Sequence, residues 1–599
     1  MEAVNPPLAT HSDDRVSGST VSALPWVRRV PEGLLINLVA IFVGILTALG
    51  SVAFIWVMRE FHYFFFEVVH NSLLPYLGVA AVILIPTLGG LLVAPITTYF
   101  APETKGHGVP ELMMAIRTQK GFLRVRAALM KLLASALTLT SGGSAGREGP
   151  IVLIGGGIGS TISQLFKLTP GRTRRIIACG AAAGIAVVFN APIAGSIFAI
   201  EIIVGDFAVR SFASIIFSAV AGSVVGWYFL GSSPSFIIPA YNVVTPAEFG
   251  FFLILGILAA GVALAFVALL YWMDHIFEHR IRIPAVLKPA LGGLTVGIIA
   301  IWTPQVMGVG YDYINDVLTS EHLVWLLLAL IPLKLIATSF TLGSGFSGGI
   351  MSPSLFMGAM LGTAFGSAVQ RSLGIPLAHP GAYGLVGMAA VFGAAAQAPF
   401  TAMILIFEMT RDYNLVVPVM FGVVVATVLF NHYSKATIYT RKMLKRGIKY
   451  RVAHDVNVYE EITVGEVMHR EVETLNENMT YHDAYERVFN SHHNGFPVVN
   501  DAGELVGVIC ESDFARLLIK DERRAEELKL KDFMCRRVVT VTPEQSAWEV
   551  LQLFDRLRFG RYPVVDAKDP KKLVGIVTRS DIIHAYPYAL RHHEIEYEV

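Results

Sequence analysis

From Leu34 to Leu429 the chain runs through long apolar stretches, such as LLINLVAIFVGILTALGSVAFIWVM near the start and LVVPVMFGVVVATVLF at the end. Runs of that length cross a bilayer as helices, so a polytopic helical membrane protein is predicted. Many of the runs are short or interrupted by Gly and Pro, which leaves the number of spans open. Beyond about Arg451 charged residues increase and short β-branched runs alternate with helical stretches. That is the pattern of a soluble α/β module, and it marks a domain boundary.

Both regions repeat internally. In the tail, VGEVMHREVETL through GFPVVNDAGELVGVICESDF is echoed by LKDFMCRRVVTV through GRYPVVDAKDPKKLVGIVTRSDI. Met468 and Met534, Pro497 and Pro563, Gly507 and Gly575, and Asp513 and Asp581 take matching places. Two copies of a strand-helix-strand-strand-helix unit resemble a tandem pair of CBS domains. In the apolar region, KLLASALTLTSGGSAGREGP from Lys131 aligns without a gap on KLIATSFTLGSGFSGGIMSP from Lys334, with ten of twenty positions identical. Gly155 and Gly159 match Gly358 and Gly362, and NAPIAGSIFAIE at Asn190 matches QAPFTAMILIFE at Gln397. Two halves with broken hydrophobic segments at corresponding places are the mark of transport folds whose site lies between the repeats near mid-membrane.

Composition agrees: 54% of the 599 residues are hydrophobic, 16% are charged and the mean hydropathy is +0.57. The net charge of +1 says little, but its distribution says more. The segment KATIYTRKMLKRGIKYR, after the last apolar run, holds seven Lys or Arg in seventeen residues, and Arg28 and Arg29 precede the first run. By the positive-inside tendency both ends face the cytoplasm. The first 30 residues lack the order of a secretory signal. Cys179, Cys510 and Cys535 are too scattered for a disulfide framework or a metal site.

The expected organisation is a polar cytoplasmic segment at 1–33, a transmembrane domain of two repeated halves at 34–446, a linker at 447–459, one α/β unit at 460–520, and a second unit with the C-terminal tail at 521–599. The fold class is all-α, with inverted repeats and broken helices, plus the cytoplasmic α/β module.

A helix that begins inside the bilayer leaves its first N–H groups without helical acceptors. Together with the positive end of the dipole they form an anion site. Gly146 to Pro150 and Gly349 to Pro353 both read Gly-x-x-x-Pro before a long apolar run. Two such starts converging from the two halves would hold a monovalent anion without a full-charge lysine, which would bind it too tightly to let it leave. The competing reading makes these glycines small-residue helix contacts.

Lys105 to Glu111 (KGHGVPE), GREGP and GIMSP are similar to the three anion-binding signatures of the CLC chloride channels and transporters, in the same order, and FNAPIAGSIFAIE is similar too. The resemblance runs from about Leu34 to Arg446 and implies the CLC fold and a homodimer with one anion pore in each subunit. It implies a gate at Glu148, a tethered carboxylate that blocks when ionised and admits chloride when protonated or displaced. A glutamate capping its own helix start is the alternative. The chloride path it implies is lined by His107, Gly108, Val109, Arg147, Gly149, Ile350, Met351 and the hydroxyl of Tyr439. Met351 stands where Phe is usual, and His107 where a serine is usual. A neutral imidazole still donates one hydrogen bond, and a protonated one adds charge; His107 turned towards water or a carbonyl is the other reading.

Coupled members of the family place a second glutamate right after the position of Glu201; here that residue is Ile202, which cannot relay a proton. Passive conduction is therefore expected, with a proton-coupled antiporter using another path as the alternative. Glu201 is read as structural, because Glu408 repeats it. A CBS-regulated divalent-cation transporter is a rival of another substrate class, but the embedded segments are poor in the carboxylates it needs. No enzymatic constellation is visible and no enzyme activity is expected.

The CBS resemblance leaves two readings of the tail open. In one, an adenine nucleotide binds between the copies, with Thr578 at phosphate and Asp581, or Asp513 in the first copy, at ribose; in the other, the pair is a structural module. No other cofactor, no metal and no nucleic acid is expected. The expected partners are chloride, a second copy of the chain and membrane lipid, in a plasma or bacterial inner membrane.

Overall fold

The computed structural model describes residues 32–447 and 462–584, except 119–120, 206–208, 237, 239–240, 242–243, 375–376, 492, 521–527 and 558. The polar segment expected at 1–33 up to residue 31, with Arg28 and Arg29, lies outside the described residues, as do 448–459 of the expected linker and the tail from 585. The chain divides into two compact units, Met1–Val452 and Ala453–Val599.

The first unit is helical. Among the described residues six helices are long and apolar enough to cross a membrane: Gly33–Val69, Ala80–Phe100, Phe212–Leu230, Glu248–Arg280, Val324–Ser344 and Tyr413–Tyr433. Shorter apolar helices, including Pro192–Val204, Pro380–Ala396 and Pro399–Thr410, fill the space between them. These are the broken segments read from the sequence, and the repeat explains where they break. Asn190 and Gln397, at matching positions, both adopt left-handed backbone (φ 55° and 52°) and close the helices Pro170–Phe189 and Pro380–Ala396. Each is followed by Ala-Pro, and the proline opens the next helix at its first position.

The helices pack closely because glycines line the contacts. A β-carbon at Gly155 would stand 2.7 Å from the carbonyl carbon of Gly180, and one at Gly358 would stand 2.6 Å from that of Gly387. At Gly155 and Gly358 the small-residue reading therefore applies, and the contact repeats in both halves.

Carboxylates tie the halves together reciprocally. Glu201 accepts from the N–H groups of Phe400 and Thr401 at 3.2 and 2.8 Å, at the start of Pro399–Thr410. Glu408 accepts from those of Ile193 and Ala194 at 3.1 and 2.7 Å, at the start of Pro192–Phe198. Each fills orphan donors of a helix start in the other half, and this is the architectural role that the repetition of the glutamate indicated.

The second unit holds a three-stranded sheet, Leu475–Asn476, Gly495–Val499 and Leu505–Cys510, and a two-stranded antiparallel one, Arg561–Val565 with Leu573–Thr578. Helices Tyr481–Phe489 and Ala547–Leu557 precede the hairpins at matching places. The cores are exchanged between the copies. Ile462 and Val464 pack with Val541, Phe554 and Val577, while Leu530 and Met534 pack with Leu475, Phe496 and Phe514. A β-carbon at Gly507 would meet the Met534 side chain, and one at Gly575 would meet that of Met468. The leading residues of each copy thus bury their apolar side chains in the core of the other.

Candidate anion site

Three loops meet at the centre of the first unit. Gly146 donates to Gly349 O at 2.8 Å and Gly349 donates back to Gly146 O at 2.5 Å, a two-residue antiparallel bridge. Gly106 donates to Phe346 O at 3.1 Å and accepts from Gly348 N–H at 3.2 Å. The helices Glu148–Leu165, Met351–Leu373 and Val109–Thr118 start beside these bridges. The N–H groups of Gly146 and Gly349 are consumed by the pairing. The donors offered by the two long helices therefore begin after these glycines, and Glu148, Gly149, Ile350 and Met351 lie in those buried first turns.

Side chains beneath the loops repeat the same exchange. Ser144 Oγ lies 2.9 Å from Thr338 Oγ1, and Ser347 Oγ lies 2.9 Å from Ser135 Oγ. Ser144 N–H donates to Thr341 and Ser347 N–H to Thr138. Lys131 Nζ donates to the carbonyls of Thr104 and Gly106 at 2.9 and 2.6 Å. Lys334 Nζ donates to those of Val306 and Gly308 at 2.9 and 3.0 Å. Both lysines are fully buried. The sequence reading made no use of them, although they head the two aligned blocks. They point at carbonyls and so fix the loops.

Glu148 is buried, and its carboxylate lies against both bridged glycines: a β-carbon at Gly349 would stand 2.7 Å from Glu148 Oε2, and one at Gly146 would meet the same oxygen. Oε1 accepts from Tyr311 Oη at 3.0 Å and from Ser352 Oγ, and the two hydroxyls lie 2.8 Å apart. Oε2 has no hydrogen-bond partner among the described residues. Arg147 points elsewhere: its guanidinium lies 5.1 Å from the Tyr311 ring centre and donates to Val188 O at 3.4 Å. Adjacent residues on a helix diverge, and here Tyr311 stands between them, under the cation by its ring and on the carboxylate by its hydroxyl. Neither Tyr311 nor Ser352 was singled out from the sequence; Ser352 lies inside the quoted GIMSP, whereas Tyr311 carries no local signal.

His107, Gly108 and Val109 enter the site from Gly106. A β-carbon at Gly108 (φ 89°) would stand 2.6 Å from Gly149 O, so the backbones nearly touch and only glycine fits. The Gly108 N–H donates to Glu111 Oε2 at 3.0 Å, as the helix start takes its own carboxylate cap. Glu111 Oε1 is held at 2.5 Å by Lys442, a buried pair absent from the sequence reading. His107 is buried with its ring edge towards Tyr271, and its Nδ1 has no partner among the described residues; it is turned neither to solvent nor to a protein carbonyl through that atom. Tyr439 is buried just before helix Thr440–Lys445. Ile202 is buried in the segment Ala199–Val204.

The family model for the voltage gated chloride channel matches residues 89–431, more than half of the chain. The chain belongs to this CLC family. The CBS domain model matches residues 464–520 and 530–588. A protein of Ralstonia nicotianae named as a ClcB-like chloride channel protein is 34% identical over 368 residues, 61% of this chain and 85% of that one. Chloride channel protein CLC-e of Arabidopsis thaliana is 35% identical over 364 residues, 57% of this chain and 51% of that one, so this CLC chain spans about half the length of that relative. Among solved structures, a slow cyanobacterial Cl−/H+ antiporter superposes with a TM-score of 0.64 at 27% identity, covering 70% of this chain and 98% of the other.

In the CBS unit, Asp581 Oδ2 accepts from Thr578 N–H at 2.8 Å and from Thr578 Oγ1 at 2.7 Å, while Oδ1 lies 3.2 Å from His469 Nε2. Thr578 and Asp581 therefore bind each other, as a helix start does. Asp513 Oδ2 caps Cys510 N–H in the same way at 2.9 Å. Burial, and next the Asp513 charge, push the Cys510 thiol up, so it stays neutral where the second copy carries a hydroxyl.

Proposed function

We propose that this CLC protein carries chloride across the membrane as a homodimer, one path in each subunit, with Glu148 as the gate. The observation that supports it most is the Glu148 carboxylate lying beside two bridged glycines where helix starts from both halves meet. That is the seat an anion would take: electropositive, buried and lined by first-turn N–H groups. An ionised carboxylate there competes with chloride, and a neutral one does not. A transport role without enzymatic chemistry is the reading, with both termini cytoplasmic.

Passive conduction is favoured by Ile202, which offers no proton where coupled members place a glutamate. Proton-coupled exchange is the second reading, and the likeness to a Cl−/H+ antiporter supports it. The CBS pair is read as a modulating module that takes an adenine nucleotide at Thr578 and Asp581 once their mutual bonds open. Reconstitution in liposomes with simultaneous chloride and pH recording is the test. Chloride efflux without proton movement fits the passive path; protons driven uphill by the chloride gradient reject it, and no chloride flux at all rejects the transport reading.

A further inference from the structure

At one end of the helix Glu248–His275 a cavity of about 570 Å³ opens in the first unit. Ala265, Ala268, Leu269 and Trp272 form its wall, at the i, i+3, i+4, i+7 spacing of one helix face. Its rim is basic: Arg441 and Lys445, from the short helix Thr440–Lys445, with His275 beside them. Both cations lean on one ring, at 5.8 Å and 5.2 Å from the centre of Tyr271. Lys445 also donates to Tyr271 O at 3.1 Å and lies 3.8 Å from Asp274, whereas Arg441 has no ion pair among the described residues. Trp272 is 57% exposed, an aromatic side chain placed beside the basic rim.

We propose that this cavity binds an anionic phospholipid, phosphate at Arg441 and Lys445 and the first acyl carbons along the alanine wall. The two halves of the site match the two halves of that molecule. An apolar wall alone would take any lipid, and two cations on a ring would take any phosphate; the cavity joins them at a helix end. In the sequence Thr440–Lys445 ends the membrane region before the C-terminal part read as cytoplasmic, so the leaflet is the one on that side. The site also adjoins the anion path. Tyr271 Oη donates to Ile438 O at 2.7 Å, next to Tyr439, and the Tyr271 ring meets His107.

The test is native mass spectrometry of the full-length protein in detergent, titrated with phosphatidylglycerol and, separately, phosphatidylcholine. Wild type is expected to retain phosphatidylglycerol preferentially. Arg441→Gln with Lys445→Gln is expected to weaken retention by about fivefold for each charge removed. Ala268→Trp obstructs the apolar wall without touching the charges and is expected to weaken retention severalfold, so the proposal stays testable if one variant fails to fold. Equal retention of both lipids, unchanged retention in a folded variant, or displacement by millimolar inorganic phosphate, which would mark a soluble anion as the occupant, overturns it. Binding is read without any flux measurement, so failure here leaves the transport reading standing.

Discussion

Tyr311 Oη stands 3.0 Å from Glu148 Oε1, a hydroxyl of the second half resting on a carboxylate of the first. Ser352 adds a second donor to the same oxygen. Tyr311 and Ser352 donate to this carboxylate, while the neighbouring Arg147 guanidinium rests on the Tyr311 ring. Donors to the ionised form favour it, and the ionised form is the blocking one.

Tyr311→Phe and Ser352→Ala should therefore open the gate more readily. A hydrogen bond to a charged group contributes about 1.5 kcal/mol or more, which is roughly one pH unit. The half-activating pH of chloride efflux from liposomes is expected to move up by about that much in each variant. A purely structural role would lower the rate and leave the midpoint in place.

Glu148→Gln removes the tethered competitor. Its efflux should equal or exceed the wild-type maximum and lose most of its dependence on pH. A variant that folds yet retains the wild-type pH profile would show that another group gates the path.

Lys334→Met should destabilise the protein, and Lys131→Met by a similar amount. Each leaves two buried carbonyls without their donor, at about 1 to 3 kcal/mol apiece. Melting in detergent, followed by tryptophan fluorescence, is expected to fall by several degrees in both. A loss confined to one of them would contradict the equivalence of the halves.

Glu201→Gln and Glu408→Gln test the reciprocal caps. Each weakens charge-assisted bonds to two N–H groups, and a loss of about 1 kcal/mol is expected from either. Chloride efflux at equal protein density should change little, because neither carboxylate lies on the proposed path. A selective loss of proton movement in Glu201→Gln would instead point to a coupled exchanger.

The architecture was legible because the chain states it twice. Lys131 over Lys334, Gly146 over Gly349 and Asn190 over Gln397 could be aligned by eye, and each pair occupies equivalent places in the structure. What stayed hidden lies where the halves differ or where contacts span long separations. Tyr311 reaches Glu148 across 163 positions and Lys442 reaches Glu111 across 331, and no periodicity announces such pairs. Gly108 was legible as a glycine that must turn, but the destination of its N–H was settled by Glu111, three residues on. The exchange of the CBS cores was equally invisible, since Met468 and Met534 fit the repeat whichever core they enter.

Bromide soaked into crystals of Glu148→Gln, located by its anomalous scattering, reads the seat itself. A peak where the Glu148 carboxylate lies, beside Gly146 and Gly349 and within hydrogen-bonding distance of the first-turn N–H groups after them, is the expected result. An empty seat, with bromide only at the protein surface, would mean that the helix starts serve the fold and leave the anion to some other path.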